Sequence, residues 1–158
     1  MKKSSILLAI ALLSSTSLAF AKTNTWQTGF AQGTQEYGIT SKDNALLLLS
    51  CNIESGLGHN IMLYPKGMGN PEELDAREKP LTFYFNANQM AYPVKQHQAY
   101  SQNEWQTFIS KLATAQQIDI YHKNQFVMQV KPNVASRKQL SQKMISDCNF
   151  ENLRSAEE

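Results

Sequence analysis

The residues best suited to covalent chemistry are two cysteines, Cys51 and Cys148. A disulfide, a redox-active dithiol and part of a metal site are the three explanations for such a pair. Redox-active cysteines usually stand close together, as in Cys-x-x-Cys, whereas these two are far apart. A structural metal site needs two further ligands, and the histidines have no metal-binding spacing. The sequence therefore favours a Cys51–Cys148 disulfide and no metal site.

A second group of reactive residue types comprises Glu54, Ser55 and His59. Serine, carboxylate and imidazole are the parts of a hydrolase triad, but triads are normally assembled by the fold from distant segments. The nucleophile elbow Gly-x-Ser-x-Gly is absent. We interpret the segment as a glycine-rich turn with His59 at the start of a strand, and His97 and His122 as exposed loop residues. No catalytic residue and no cofactor is assigned.

The longest polar segment covers residues 66–80 and contains several acidic residues. Paired carboxylates can hydrolyse glycosides, but the basic residues in the same stretch favour a solvated face. Asn70 and Pro71 can start a short helical turn. Met68 and Leu74 are candidate partner-binding residues, since buried apolar contacts dominate binding energy. A tolerated surface insertion is the alternative.

A strand predicted at residues 81–86 offers another candidate surface. Alternation places Tyr84 and Asn86 on one face and apolar side chains on the other. With Tyr92 and Tyr100 nearby in sequence, this face has the tyrosine content of recognition surfaces. Ordinary cross-strand pairs on a half-exposed sheet are the alternative interpretation.

Strands are predicted throughout the first two thirds of the chain, from alternation and from apolar runs between turn signals. They cover residues 25–30, 35–40, 45–51, 60–64, 81–86 and 90–94. Pro93 should place the last of these at a sheet edge. Trp26 is expected to staple the N-terminus to the sheet, with a position in a surface groove as the alternative.

Two helices and a hairpin are predicted in the C-terminal third. Ser101 and Glu104 form a capping box ahead of apolar residues at helical spacing. Residues 117–121 and 125–130 form a hairpin, and Ser136 is expected to cap the last helix. One face of the second hairpin strand collects Phe126, Met128 and Val130. One stripe of the last helix collects Leu140, Met144 and Cys148.

These patterns predict an α+β fold with a curved, mostly antiparallel sheet of six to eight strands. Two helices lie in the C-terminal third, and one disulfide closes the fold. Residues 22–150 are expected to form a single globular domain, followed by a polar tail at 151–158.

Residues 1–21 have the parts of a bacterial secretory signal peptide. Lys2 and Lys3 precede an apolar run at residues 6–13, and a small-x-small site ends at Ala21. The run is shorter than the roughly 20 residues that span a bilayer. We therefore expect a periplasmic or secreted protein, cleaved near Ala21, with no stable membrane anchor.

Charge narrows the class of partner. Two of the 15 basic residues leave with the signal peptide, so the remaining 13 balance 13 acidic residues. A nucleic-acid-binding protein needs a basic excess, so no nucleic-acid partner is expected.

The helix–strand–strand–helix ending at residues 105–121, 126–130 and 136–148 resembles small secreted proteins of Gram-negative bacteria. These include the invasion-associated locus B type and type VI secretion accessory proteins. The resemblance is one of spacing, assigns no functional residue and does not account for the cysteine pair. It implies a non-enzymatic, β-rich periplasmic domain.

The sequence thus predicts a protein-binding module, either an inhibitor, an immunity protein or a secretion accessory. Its partner would be another protein of the envelope or an exported protein. The alternative is a small envelope hydrolase whose histidine and carboxylate are brought together by the fold.

Overall fold

The computed structural model describes residues 20, 22–31, 33–52, 59–67, 72–76, 79–91 and 102–149. These residues form nine strands and two helices. The strands are β1 (Gln27–Ala31), β2 (Thr34–Thr40), β3 (Leu46–Asn52), β4 (Asn60–Tyr64), β5 (Leu74–Asp75), β6 (Leu81–Phe85), β7 (Asn88–Ala91), β8 (Ile118–His122) and β9 (Gln125–Val130). The helices are α1 (Gln102–Thr114) and α2 (Val134–Asp147). Neither helix is long and apolar enough to cross a membrane.

The strands are divided between two antiparallel sheets. Sheet A has the order β1-β2-β3-β4-β5, and sheet B has the order β7-β6-β8-β9. The predicted fold class is confirmed, because the strands pair antiparallel, both helices lie in the C-terminal third and one disulfide is present. The two-residue strand β5 brings the number of strands in the described part of the chain to nine. β7 is an edge strand of sheet B, but it covers Asn88–Ala91 and not the predicted residues 90–94, and Pro93 lies outside the described residues.

One hydrophobic core joins both sheets to both helices. On β3, Leu47, Leu49 and Cys51 point into this core, while Leu46 and Leu48 lie in a second, smaller cluster on the outer face of sheet A. Burial on both faces explains why β3 is a continuous apolar run without alternation. The largest fully buried side chains of the core include Trp105, Tyr37, Phe83, Phe108, Ile109 and Leu112.

The prediction that Ser136 caps the last helix is wrong. Asn133 is the N-cap, with an extended backbone and a side chain that accepts a hydrogen bond from the Ser136 amide at 2.8 Å. The Ser136 hydroxyl instead accepts a hydrogen bond from the Trp26 amide at 3.1 Å. Trp26 lies in the core, so its predicted role as a staple for the N-terminal segment is confirmed.

Phe126 does not share a face with Met128 and Val130, as the alternation predicted. Met128 pairs with Ile120, but Phe126 pairs with Tyr121, so an extra residue is inserted in β9 at a bulge. The insertion reverses the alternation beyond it. Phe126 is therefore 54% exposed, whereas Met128 and Val130 are buried.

Candidate functional site

Three consecutive residues at the end of α2 are held by different parts of the fold. The Tyr37 hydroxyl on β2 donates to the Asp147 carboxylate at 2.6 Å. Cys148 forms the predicted disulfide with Cys51 on β3, with 5.0 Å between the Cα atoms. The carbonyl of Cys148 also accepts a hydrogen bond from the indole N–H of Trp105 at 2.7 Å. The end of α2 is thus fixed by sheet A and α1 together.

His59 contacts Asn149, the third of these residues. Its Nε2 lies 2.8 Å from the carbonyl oxygen of Asn149, and its ring stacks on Trp105 at 5.4 Å between centroids. Because a carbonyl can only accept, Nε2 carries the hydrogen. The side chain is 6% exposed, and this burial lowers the pKa of His59, opposed in part by the hydrogen bond to Asn149. We assign His59 a structural role as a buried neutral imidazole.

Acidification is expected to weaken the fold through His59. Since its pKa is lowered in the folded state, the unfolded chain takes up a proton more readily, and stability falls as pH drops below about 6.5. The slope from one group is at most about 1.4 kcal/mol per pH unit. Urea denaturation of wild type and His59→Gln between pH 7 and pH 5 measures it. Glutamine keeps a neutral donor, so parallel pH profiles for the two proteins would contradict this prediction.

A polar network joins the β1–β2 hairpin to α2. The Asp147 carboxylate that accepts from Tyr37 also pairs with Lys143 Nζ at 2.6 Å. Lys143 donates in turn to Gln35 Oε1 at 3.3 Å, and Gln35 Nε2 donates to the Thr28 hydroxyl at 2.7 Å. Burial, together with the hydrogen bond to Asp147 and its charge, raises the pKa of Tyr37. Tyr37 is therefore a protonated donor at neutral pH, and the network is a structural link.

The described residues contain no group of three or more His, Cys, Asp or Glu that could hold a metal ion. His122 was predicted to be an exposed loop residue, but it is the last residue of β8 and is half-exposed, with its Nδ1 3.2 Å from the carbonyl oxygen of Pro80. Glu54, Ser55 and His97 lie outside the described residues.

The outward face of sheet B carries three aromatic rings in a row. Tyr84 on β6 meets Tyr121 on β8 at 5.1 Å between centroids, and Tyr121 meets Phe126 on β9 at 5.6 Å. Both contacts are edge to face, with interplanar angles of 64° and 75°. The tyrosines are half-exposed and Phe126 is 54% exposed. We call these three residues the aromatic row.

A polar group borders the aromatic row on the same face. Asp119 stands opposite Tyr84 on one side and Gln129 on the other. Its carboxylate accepts from the side-chain amides of Gln117 and Gln129, both at 2.7 Å. These bonds fix the carboxylate and both amides in position, so the face combines exposed rings with an ordered polar margin.

Asn86 does not share the face of Tyr84, contrary to the sequence prediction. It lies in the turn after β6 with φ +52°, a left-handed conformation that asparagine tolerates better than most residues. Its Oδ1 accepts hydrogen bonds from the amides of Gln116 and Gln117, both at 3.0 Å. Asn86 therefore organises the connection from α1 to β8.

Leu74 lies in β5, where the sequence predicted a loop. It pairs with Leu63 and is partly buried against the core, so it supports the fold at this point. The prediction that Met68 binds a partner stays a prediction, because Met68 lies outside the described residues. Asn70, Pro71, Tyr92 and Tyr100 also lie outside them.

A family model described as YfjT matches residues 24–140. The chain belongs to the YfjT family. It is similar to a protein of Escherichia coli (strain K12) described as "Uncharacterized protein YfjT", with 26% identity over 127 residues that cover 78% of this chain and 81% of that protein. No solved structure matches the chain.

The range matched by the YfjT family includes the whole aromatic row, two members of which sequence analysis missed. Tyr121 could have been found, because Ile118 and Ile120 are buried and leave Tyr121 on the outward face by alternation. Phe126 carried no such signal, since its exposure depends on the bulge opposite β8.

Proposed function

We propose that this protein is an exported protein-binding module and that the aromatic row is its recognition surface. The observation that carries the proposal is a row of rings, edge to face, on the outward side of a paired sheet, ending in an exposed Phe126. Aromatic side chains bury a large area with few rotatable bonds, which is why they dominate many interfaces. The partner would be another envelope or exported protein, bound by an inhibitor, immunity protein or secretion accessory.

The support beneath the row favours binding without rearrangement. Strands β6 and β8 each have a paired neighbour on both sides. On the opposite face of β6, Phe83 and Phe85 pack edge to face against Phe108 of α1, at 5.2 and 5.8 Å between centroids. A surface already ordered in the free protein loses little entropy when a partner binds.

Export rests on the features of residues 1–21 and on the cysteine pair. A disulfide is characteristic of oxidising compartments outside the cytoplasm, and Cys51–Cys148 is such a bond. The signal peptide adds the route, and the periplasm is the compartment that both features favour.

Replacing Phe126 with serine is expected to weaken partner binding at least tenfold, or about 1.4 kcal/mol. The experiment captures partners from envelope extract with the purified protein, identifies them by mass spectrometry and measures the Kd of each variant. Phe30→Ser is the matched control, because Phe30 is also 54% exposed but lies on β1 of sheet A.

Two results would overturn the proposal. The first is equal loss of binding in Phe126→Ser and Phe30→Ser, which would indicate nonspecific adhesion of exposed rings. The second is capture of no partner together with turnover of a peptidoglycan or peptide substrate. In that case replacement of His59, His97 and His122 one at a time would identify the histidine of a hydrolase.

A further inference from the structure

The outer face of sheet A has an apolar cluster that Phe20 covers. Leu46 and Leu48 form its floor and are only 3% and 5% exposed. Met62 and Tyr64 of β4 are partly buried beside them. Phe20 is therefore packed on the fold, although the sequence places it within the signal peptide.

Two contacts define this position, one to the ring of Phe20 and one to its backbone. The ring of Phe20 lies directly against Gly38, where a Cβ atom would collide with the ring. A glycine inside a strand often marks such a close approach. The Phe20 carbonyl also accepts a hydrogen bond from the Thr40 hydroxyl. Sheet A thus contacts both the ring and the backbone of Phe20. We call the cluster the Phe20 seat; its members are Gly38, Thr40, Leu46, Leu48, Met62 and Tyr64.

Cleavage near Ala21 would remove Phe20 and leave the seat empty. Its floor of Leu46 and Leu48 would then face solvent on a sheet surface shaped for a ring. We propose that in the mature protein the Phe20 seat binds an aromatic residue of a partner protein. The Thr40 hydroxyl donates to the carbonyl of that residue. This inference rests on the export part of the proposed function, and its site is separate from the aromatic row.

Phe20 shows which kind of residue fits the seat. It is aromatic, and its carbonyl accepts a hydrogen bond from the Thr40 hydroxyl. In the precursor this residue blocks the seat, so a partner gains access only after cleavage. Maturation would then switch the binding site on.

The test uses mature protein purified from the periplasm, with its N-terminus established by mass spectrometry. The probe is the blocked peptide Ser-Leu-Ala-Phe-Ala, which has the sequence of residues 17–21. Titration followed by NMR should give saturable shift changes at Thr40, Leu46 and Leu48. A peptide with alanine in place of phenylalanine should bind at least tenfold more weakly.

Protein variants test whether the peptide binds in the Phe20 seat. Gly38→Ala should abolish the shift changes, because the added methyl group occupies the position of the ring. Thr40→Val should weaken binding without filling the seat, and it keeps the test valid if Gly38→Ala does not fold. Phe126→Ser should bind the peptide like wild type.

Three results would overturn the inference. They are a mature N-terminus that retains Phe20, equal binding of the two peptides or no binding of either, and unchanged binding by folded Gly38→Ala and Thr40→Val. Each leaves partner capture through the aromatic row intact. Conversely, if the protein captures no partner through the aromatic row, the peptide titration is unaffected. Failure of the proposed function can therefore be distinguished from failure of this inference.

Discussion

Replacing Trp105 with alanine is expected to lower the free energy of unfolding by about 3–5 kcal/mol, as for other large buried aromatic residues. Trp105 is fully buried, packs 6.0 Å from the Phe108 ring and lies beneath His59. Its removal leaves a cavity where α1 meets the end of α2. It also leaves the carbonyl of Cys148 without the indole donor. Urea denaturation at pH 7 measures the loss.

A pair of conservative variants separates the indole hydrogen bond from the packing. Trp105→Phe removes the donor to Cys148 and should cost more than Trp26→Phe. The indole nitrogen of Trp26 is also buried but has no hydrogen-bond partner among the residues that the structure describes. An unsatisfied buried acceptor costs about 1–3 kcal/mol. Equal losses in the two variants, or a loss below about 1 kcal/mol in Trp105→Ala, would contradict the assigned role.

Removing the disulfide is expected to lower the free energy of unfolding by about 2–5 kcal/mol, the range typical of native disulfides in small domains. Cys51 and Cys148 are 97 positions apart, so their bond restricts a large part of the unfolded chain. The measurement compares Cys51→Ala/Cys148→Ala with wild type in urea denaturation. The double variant is needed because the single variants keep one thiol.

Thiol labelling checks the same bond independently. Unfolded wild-type protein should show no reactive thiol until a reductant is added. Cys51→Ala alone should keep Cys148 buried in the folded state and expose it to mixed disulfides on unfolding. Complete labelling of wild type without reductant would show that the bond does not form in the cell.

Local sequence predicted the strands well wherever turn residues bound an alternating or apolar run. The bounds of β4 and β9 agree with the prediction, and β3 was identified from an apolar run that both faces of sheet A require. The separation into two sheets was not predicted, because it depends on which strands pair across long stretches of chain. The cap of α2 was misplaced because both Asn133 and Ser136 have suitable side chains, and Trp26 competes for the serine.

The candidate surface was predicted only in part, for a similar reason. Tyr84 follows from strand alternation alone. Asn86 was misassigned because its conformation is set by the amides of Gln116 and Gln117, some 30 positions later. Phe126 was misassigned because a bulge is a property of two strands. The Phe20 seat had no signal in the sequence, since Phe20 was assigned to a segment that was expected to be removed.

The way α2 ends has a consequence for the timing of folding during synthesis. Tyr37, Cys51 and His59 each meet a partner 90 or more positions later in the chain. Because the chain is synthesised from its N-terminus, nearly all residues of sheets A and B are present before any of these contacts can form. Until the last helix appears, the early strands lack these three contacts. Under the export proposed above, such a delay would keep the precursor competent for passage through a translocase as an unfolded chain.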